Sequence, residues 1–154
     1  MAGTPEPRWL DEEEMAAWLA LVRVVTLLPQ ALDRQLRDDA GISHVYYQIL
    51  AMLSAAPDGR LRMSELARLT GVSASRLSHA VSSLESRGWV GRGTCPEDGR
   101  GQVAGLTEEG RAVLARTAPG HVTEVRRRVF DRLTPGQVAQ LRVLAAAMSE
   151  ALPD

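Results

Sequence analysis

Residues 64–90 read SELARLTGVSASRLSHAVSSLESRGWV, and the fold prediction starts from their pattern. Its pattern predicts a short helix over about 64–70, a turn at Gly71, and a second helix that follows Ser73 and ends near residue 87. Glycine suits the turn because it adopts a left-handed backbone without a steric penalty. Two compact helices joined by such a turn are typical of a helix-turn-helix.

The second of these helices has one apolar and one polar side. Leu77, Val81 and Leu84 share a side and are expected in the core. Short hydroxyls on the other side would let the helix enter the major groove of DNA, and an arginine there can pair with guanine. A merely solvated helix face is the alternative interpretation. The candidate DNA contacts from this helix and its cap are Ser73, Ser75, Arg76, Ser78, His79 and Ser82.

Two short extended segments, 89–90 and 103–104, flank a glycine-rich loop and predict a β-hairpin with a flexible tip. Arg87 and Arg92 lie at the base of this hairpin and are candidate phosphate contacts, or else simple surface charges. A hairpin that follows a helix-turn-helix indicates a winged helix-turn-helix.

Charge is distributed unevenly along the chain of 154 residues. The net charge is -1, with no lysine among its basic residues, but residues 60–103 carry seven arginines against four acids, and residues 1–59 carry four against nine. Local charge decides whether a surface attracts a polyanion, because salt screens charges beyond about 8 to 10 Å. The predicted helix-turn-helix and wing therefore form the basic part of the chain; the alternative is that this excess of three positive charges is chance scatter.

The terminal segments, 11–42 and 108–152, are predicted to be long helices with apolar residues at spacings of three and four. The first is apolar on two faces, which is more than one small lobe can cover, so these segments are expected to form a dimerisation domain. Pro29 is expected to kink or break the first helix, and the fifth helix is expected to reach about Arg132. Residues 43–107 are then expected to form the DNA-binding lobe of a single winged-helix protein spanning 1–154.

Several classes of protein are excluded or disfavoured. The longest apolar stretch, 15–28, is interrupted by Arg23 and is shorter than the roughly 18 to 20 residues that span a bilayer, so we expect a cytoplasmic protein without a membrane partner. The sequence contains no phosphate-binding loop, nucleophile elbow or metal-ligand spacing, so no catalytic residue, cofactor or metal is expected. A redox role for Cys95, the single cysteine, stays open.

The sequence resembles the multiple antibiotic resistance regulator (MarR) family of winged helix-turn-helix transcription factors. The resemblance implies a mainly α fold of about six helices and a small β-hairpin wing, arranged as a homodimer that binds a pseudo-palindromic operator in double-stranded DNA. It also implies a repressor, often released by a small phenolic ligand or by oxidation. In the family's wing, an arginine at the position of Arg100 enters the minor groove and an aspartate at the position of Asp98 orients it. The matching motifs are SELA at 64–67, LESRGWV at 84–90, DGR at 98–100 and LTEEG at 106–110.

A small aromatic effector would need a cavity between the dimerisation helices and the DNA-binding lobe. The candidate lining residues are Trp18, His44, Tyr46 and Tyr47, which are otherwise expected in the core or an interface. The arginines at 126–128 are expected to form salt bridges with the acidic first segment; the alternative is a contact with the DNA backbone. The alternative function is a winged-helix module that binds protein rather than DNA, with a neutralised outer helix face.

Overall fold

The computed structural model describes residues 6–94 and 101–152, which form a mainly helical chain with one small sheet. Strand order in the antiparallel sheet is β1-β3-β2. A short 3₁₀ turn, Phe130–Arg132, separates the last two helices. The elements in chain order are α1 (Glu12–Ala40), α2 (His44–Ala55), β1 (Arg60–Arg62), α3 (Met63–Thr70), α4 (Ala74–Ser86), β2 (Val90–Thr94), β3 (Gln102–Leu106), α5 (Glu108–Arg128) and α6 (Pro135–Glu150). This is the winged-helix architecture that the sequence predicts.

Helix α1 begins at a capping box in which the Asp11 carboxylate accepts from the backbone N–H of Glu14, and Glu14 accepts from that of Asp11. The helix continues through Pro29 as one element, so the break allowed for at this residue does not occur. Proline has no backbone N–H, so the carbonyl of Val25, four residues earlier, lacks its helical hydrogen bond. Because Val25 is exposed, water can satisfy that carbonyl.

The core of the lobe lies between α2, α3, α4 and the sheet. Leu53 of α2, Leu66 of α3 and Leu84 of α4 are fully buried, and Leu77 and Val81 join them from the apolar side of α4. The predicted division of α4 into an apolar and a polar side is therefore confirmed. Truncating any of these leucines to alanine would cost about 2 to 5 kcal/mol, so the core fixes the position of α4.

The wing is larger than the sequence predicts. Strands β2 and β3 are five residues each, rather than two, and β1 pairs with β3 to complete a three-stranded sheet. Glycines at three strand positions (Gly91, Gly93 and Gly105) conceal the extended pattern, because glycine has low β propensity. Pairing of β3 with both β1 and β2 stabilises the extended strands despite these glycines. The wing tip, with Cys95, Asp98 and Arg100, lies outside the described residues.

Helix α5 ends at Arg128, not at Arg132 as the sequence suggests. The backbone of Val129 departs from helical geometry, and Phe130–Arg132 then forms the 3₁₀ turn. Three arginines in the last turn of α5 complement the negative end of the helix dipole, which favours an end at this point.

The two terminal helices leave apolar side chains uncovered. Helix α6 buries none of its residues, and α1 buries only Leu32 and Leu36. Among the described helices, only α1 is long and apolar enough to cross a membrane, by length and composition alone. This differs from the sequence expectation, in which its apolar stretch is too short to do so. A helix that packs in the core of a soluble protein can be equally long and apolar, so length and composition do not by themselves place α1 in a membrane.

Candidate nucleic-acid interface

The outer side of α4 is polar and accessible. Ser75, Arg76, Ser78, His79 and Ser82 are all exposed, while the opposite side of the helix is in the core. Exposed hydroxyl, imidazole and guanidinium groups on one rigid helix can bond both phosphates and base edges. The sequence-predicted residues of α4 are thus brought together on one surface.

Ser73 lies at the N-terminal cap of α4 and has a structural role there. Its Oγ accepts from the backbone N–H of Arg76 at 3.4 Å, and its carbonyl accepts from that of Leu77 at 2.9 Å. These bonds satisfy helix donors that would otherwise be unpaired. Two further N–H groups in the first turn point along the helix axis, so this end of α4 also favours an anion such as phosphate.

Arg87 lies beyond the end of α4, with its guanidinium near two aromatic rings. Its Cζ is 5.6 Å from the ring centroid of Tyr46 and 5.1 Å from that of Trp89. Cation–π contacts of this kind hold the planar group in place and leave its edge free to donate. Arg87 is exposed, so its predicted phosphate contact is compatible with this position.

Arg92 of β2 is turned toward α4 rather than away from it. One terminal nitrogen of its guanidinium donates to the Ser78 carbonyl at 2.7 Å and to the Ser82 Oγ at 2.8 Å. Its Nε is 3.6 Å from the Glu85 carboxylate, which also accepts from the Arg92 backbone N–H at 3.3 Å. Sequence reasoning missed this connection between the wing and the helix, since the spacing along the chain gives no sign of it.

A groove of about 620 Å³ separates α1 from α2 and α4. His44 and Tyr46 line it, as predicted for an effector cavity, together with Arg76 and His79 of α4. The other two candidates lie elsewhere. Trp18 is 53% exposed in the N-terminal half of α1, and Tyr47 packs against His121 with ring centroids 4.2 Å apart.

Asp33 connects α1 to α2 at the edge of this groove. Its Oδ1 accepts from the backbone N–H of His44 at 2.8 Å, and its Oδ2 accepts from Arg37 Nε at 2.6 Å. Burial raises the pKa of Asp33, but the bonds from Arg37 and from the His44 backbone outweigh it, so the pKa lies below its usual value. The carboxylate therefore stays charged at neutral pH and caps α2 from the neighbouring helix.

A histidine pair lies where α1, α2 and α5 meet. His121 is buried, and its ring centroid is 5.7 Å from that of His44. Burial lowers the pKa of His121, and the nearby His44 lowers it further. Burial also lowers the pKa of His44, against the opposing charge of Asp33. Among the described residues, no group of three or more His, Cys, Asp or Glu side chains is placed to hold a metal ion.

This pair predicts an acid-sensitive stability. The unfolded chain takes up protons at the ordinary histidine pKa of 6.5, above the lowered pKa of folded His121. The resulting stability is fully present above pH 6.5 and declines as pH falls through the folded pKa. In urea titrations at fixed protein concentration, we expect the midpoint of unfolding to decrease as the pH is lowered from 7.5 to 5. The decrease should be smaller for His121→Leu than for the wild type. His79→Leu, at an exposed histidine, is the control, and an equal loss in wild type and His121→Leu would contradict the prediction.

The arginines at 126–128 do not pair with the acidic first segment, so that expectation was wrong. Arg127 and Arg128 both bond the carboxylate of Glu124, and Arg126 pairs with Asp131 at 3.2 Å. The bond from Arg127 is the main reason that the pKa of Glu124 falls to about 2. Acidic partners three to five residues away in the chain cost less conformational entropy to pair with than a distant segment does, so they are favoured.

Comparisons with known proteins agree with this geometry. A sequence profile of the MarR family matches residues 40–101. A MarR family transcriptional regulator from Streptomyces coelicolor, solved in complex with DNA, is 52% identical with a TM-score of 0.90; the match covers 98% of this chain and 94% of that one. CouR from Rhodococcus jostii, solved bound to p-coumaroyl-CoA, is 25% identical with a TM-score of 0.75, over 90% of this chain and 93% of its own.

The match to a curated repressor is more limited. The HTH-type transcriptional repressor YetL of Bacillus subtilis is 34% identical over 85 residues, which are 55% of this chain and 51% of the repressor. The chain thus matches about half the length of that relative. The profile match includes α2, α3, α4 and β2, and these elements carry the exposed polar surface described above.

Proposed function

Because the chain belongs to the MarR family of DNA-binding transcriptional regulators, which are not enzymes, we propose that it is a homodimeric repressor released from its operator by a small molecule. The observation that carries this proposal is the exposed face of α4, where serine, arginine and histidine side chains stand on a helix fixed by a leucine core. The relative from Streptomyces coelicolor was solved in complex with DNA, which supports DNA as the partner of this chain. The repressor role is supported by the relative from Bacillus subtilis.

The proposed contacts divide by chemistry. Arg76 and the serines of α4 read base edges in the major groove, and Arg87 bonds a phosphate near the base of the wing. Asp98 and Arg100 of the wing tip, outside the described residues, extend the contact into the minor groove. With two lobes related by a twofold axis, half-sites would lie about 10 to 10.5 base pairs apart and the operator would be pseudo-palindromic.

The dimer is proposed to form through segments 11–42 and 108–152, with 43–107 as the DNA-binding lobe. The uncovered apolar faces of α1 and α6 support this division. A partner helix is a better neighbour for α1 than a bilayer, because Asp33, Arg34 and Arg37 follow in its C-terminal half. We therefore propose a cytoplasmic protein.

The effector is proposed to bind the groove between α1, α2 and α4. His44 and Tyr46 offer ring surfaces, and Arg76 offers positive charge for an acidic aromatic molecule. The groove is lined by α4 itself, so an occupant contacts the helix that contacts DNA. The aromatic thioester bound by CouR supports an aromatic ligand class, while Trp18 and Tyr47 are not part of this lining.

Selection of bound fragments from random duplex DNA tests the proposed function. We expect enrichment of a pseudo-palindrome, with affinity that falls by about 0.9 log units per log unit of salt for each phosphate neutralised. Failure to enrich any sequence, with salt-independent capture of a protein instead, would favour the protein-binding module.

Arg76 provides the sharpest test of base reading. We expect Arg76→Ala to cost about 1 to 3 kcal/mol on the selected operator if it bonds guanine through two donors, and much less on random duplex. Arg142→Ala removes the same charge from exposed α6 and should leave both affinities unchanged. Equal losses on operator and random duplex, measured by fluorescence anisotropy, would reassign Arg76 to a phosphate.

A further inference from the structure

We propose that Arg92 is a positioning residue, which ties the wing to α4 and directs the hydroxyl hydrogen of Ser82 toward the DNA. This inference rests on the proposed function and deepens it, because it assigns a hydrogen-bonding role to one residue of the DNA-contacting face. It differs from the phosphate contact that the sequence suggests for Arg92.

The contacts of Arg92 are those of a structural tie. A single guanidinium nitrogen bonds both the Ser78 carbonyl and the Ser82 Oγ, which lie four residues apart on α4. The backbone N–H of Arg92 adds a third bond, to Glu85 one turn further along the helix. Three bonds from one strand residue to three positions of a helix restrict both the distance and the angle between the wing and α4.

The charge of Arg92 is largely balanced within the protein. Its Nε lies 3.6 Å from the Glu85 carboxylate, and its side chain is only 24% exposed. A guanidinium beside a carboxylate attracts phosphate weakly, because the field of the pair falls off faster than that of one charge. The geometry therefore favours a role through α4 over a direct contact with the DNA backbone.

The bond to Ser82 determines what this hydroxyl can do. A serine hydroxyl has one hydrogen to donate and two lone pairs that accept. Since Arg92 donates to the Oγ of Ser82, a lone pair is occupied and the hydroxyl hydrogen turns away from the guanidinium. Ser82 is exposed on the outer side of α4, so this hydrogen is directed to an acceptor on the duplex. Purine N7, guanine O6, thymine O4 and phosphate oxygen are such acceptors.

Ser86 makes the contrast clear, one turn later on the same helix. Its hydroxyl donates to the Ser82 carbonyl at 2.7 Å, so its hydrogen is used within the helix. Ser86 can offer only lone pairs to a ligand, whereas Ser82 offers a donor. Two similar serines are therefore expected to differ in their effect on binding.

A double-mutant cycle on the selected operator tests the proposal. We expect Arg92→Ala to weaken binding about tenfold and Ser82→Ala about fivefold, as for a charged and a neutral hydrogen bond. The double variant should bind no more weakly than Arg92→Ala, because the two residues act as one unit. The salt dependence should match the wild type in all three, and Ser86→Ala should change affinity less than twofold.

Arg92→Lys separates position from charge. Lysine keeps the charge but has one donor group where arginine has a fork, so we expect it to restore less than half of the lost affinity on a logarithmic scale. The proposal is overturned if the salt slope of Arg92→Ala falls by about 0.9, as for a lost phosphate contact, or if the losses of Arg92→Ala and Ser82→Ala add. Full recovery with lysine would overturn it too.

Two further measurements keep this test independent of folding and of the proposed function. Circular dichroism of each variant establishes that the lobe is folded. If Arg92→Ala does not fold, Ser82→Ala, at an exposed site, is compared with the wild type instead. If the wild type selects no duplex, the proposed function fails, and the tie is judged in the free protein. There, amide exchange over 90–94 should be faster in Arg92→Ala than in the wild type and unchanged in Ser86→Ala. Equal exchange in all three would overturn the tie itself.

Discussion

Replacement of Gly110 by alanine is expected to destabilise the chain by about 3 kcal/mol, at the upper end of the usual cost of overpacking. A Cβ on Gly110 would overlap the backbone carbonyl oxygen of Trp89 and lie 2.8 Å from Leu106 Cδ1. The Trp89 carbonyl cannot easily withdraw, because it accepts from the backbone N–H of Thr107 at 3.1 Å. Thr107 Oγ1 also donates to the Gly88 carbonyl at 2.7 Å and accepts from the backbone N–H of Gly110 at 3.0 Å.

The clash therefore lies where the N-terminus of α5 is hydrogen-bonded to residues 88–89, directly before β2. Relief requires either the first turn of α5 or the segment 88–89 to move, and both moves break bonds of Thr107. We expect Gly110→Ala to lower the urea midpoint strongly and to weaken DNA binding through the displaced wing.

Gly136→Ala is the matched control for this experiment. Gly136 also lies in the first turn of a helix after a threonine cap, but a Cβ there would have no neighbour closer than the Thr134 Oγ1 at 4.0 Å. Alanine is favoured over glycine in a helix by up to about 1 kcal/mol, so this variant should be neutral or more stable. A Gly110→Ala protein as stable as the Gly136→Ala protein would contradict the argument.

Gly110 also illustrates what the sequence can and cannot predict. The motif LTEEG at 106–110 suggested the helix start, and the structure confirms Thr107 as its cap. The need for glycine at position 110 was not visible, because it arises from contact with Trp89, twenty-one residues earlier. Local signals such as caps and apolar spacing depend on neighbours in the chain, whereas close approaches depend on the completed fold.

The same distinction explains the candidate interface. The two sides of α4 followed from a spacing of three and four residues, and the structure confirms Leu77, Val81 and Leu84 as core. The tie from Arg92 to Ser82 and the cap that Asp33 provides for α2 were missed, because each joins two residues that are at least ten positions apart in the chain. Of the predicted effector residues, His44 and Tyr46 line the groove, whereas Tyr47 in the same turn of α2 packs against His121 of α5, a difference that spacing along the chain does not reveal.

A charged residue in the uncovered face of α6 is expected to abolish the proposed dimer. Leu144 is 61% exposed in the single chain, and no residue of α6 is buried. We expect Leu144→Asp to be monomeric at micromolar concentration, because an unpaired carboxylate in an apolar interface is strongly unfavourable. Light scattering measures the mass, and circular dichroism should show a folded lobe, since the lobe core does not include α6.

The consequence for DNA binding is larger than that of any single contact. A dimer binds its second half-site as an intramolecular step, and loss of that step weakens binding by a factor of about 10² to 10⁴. Ser149→Asp adds the same charge to a polar exposed position of α6 that lies about 140° around the helix from Leu144, and it should leave both mass and operator affinity close to wild type. If Leu144→Asp stays dimeric, this face of α6 does not form the interface. If it is monomeric yet binds the operator with wild-type affinity, the two lobes do not act together, and the twofold operator is contradicted.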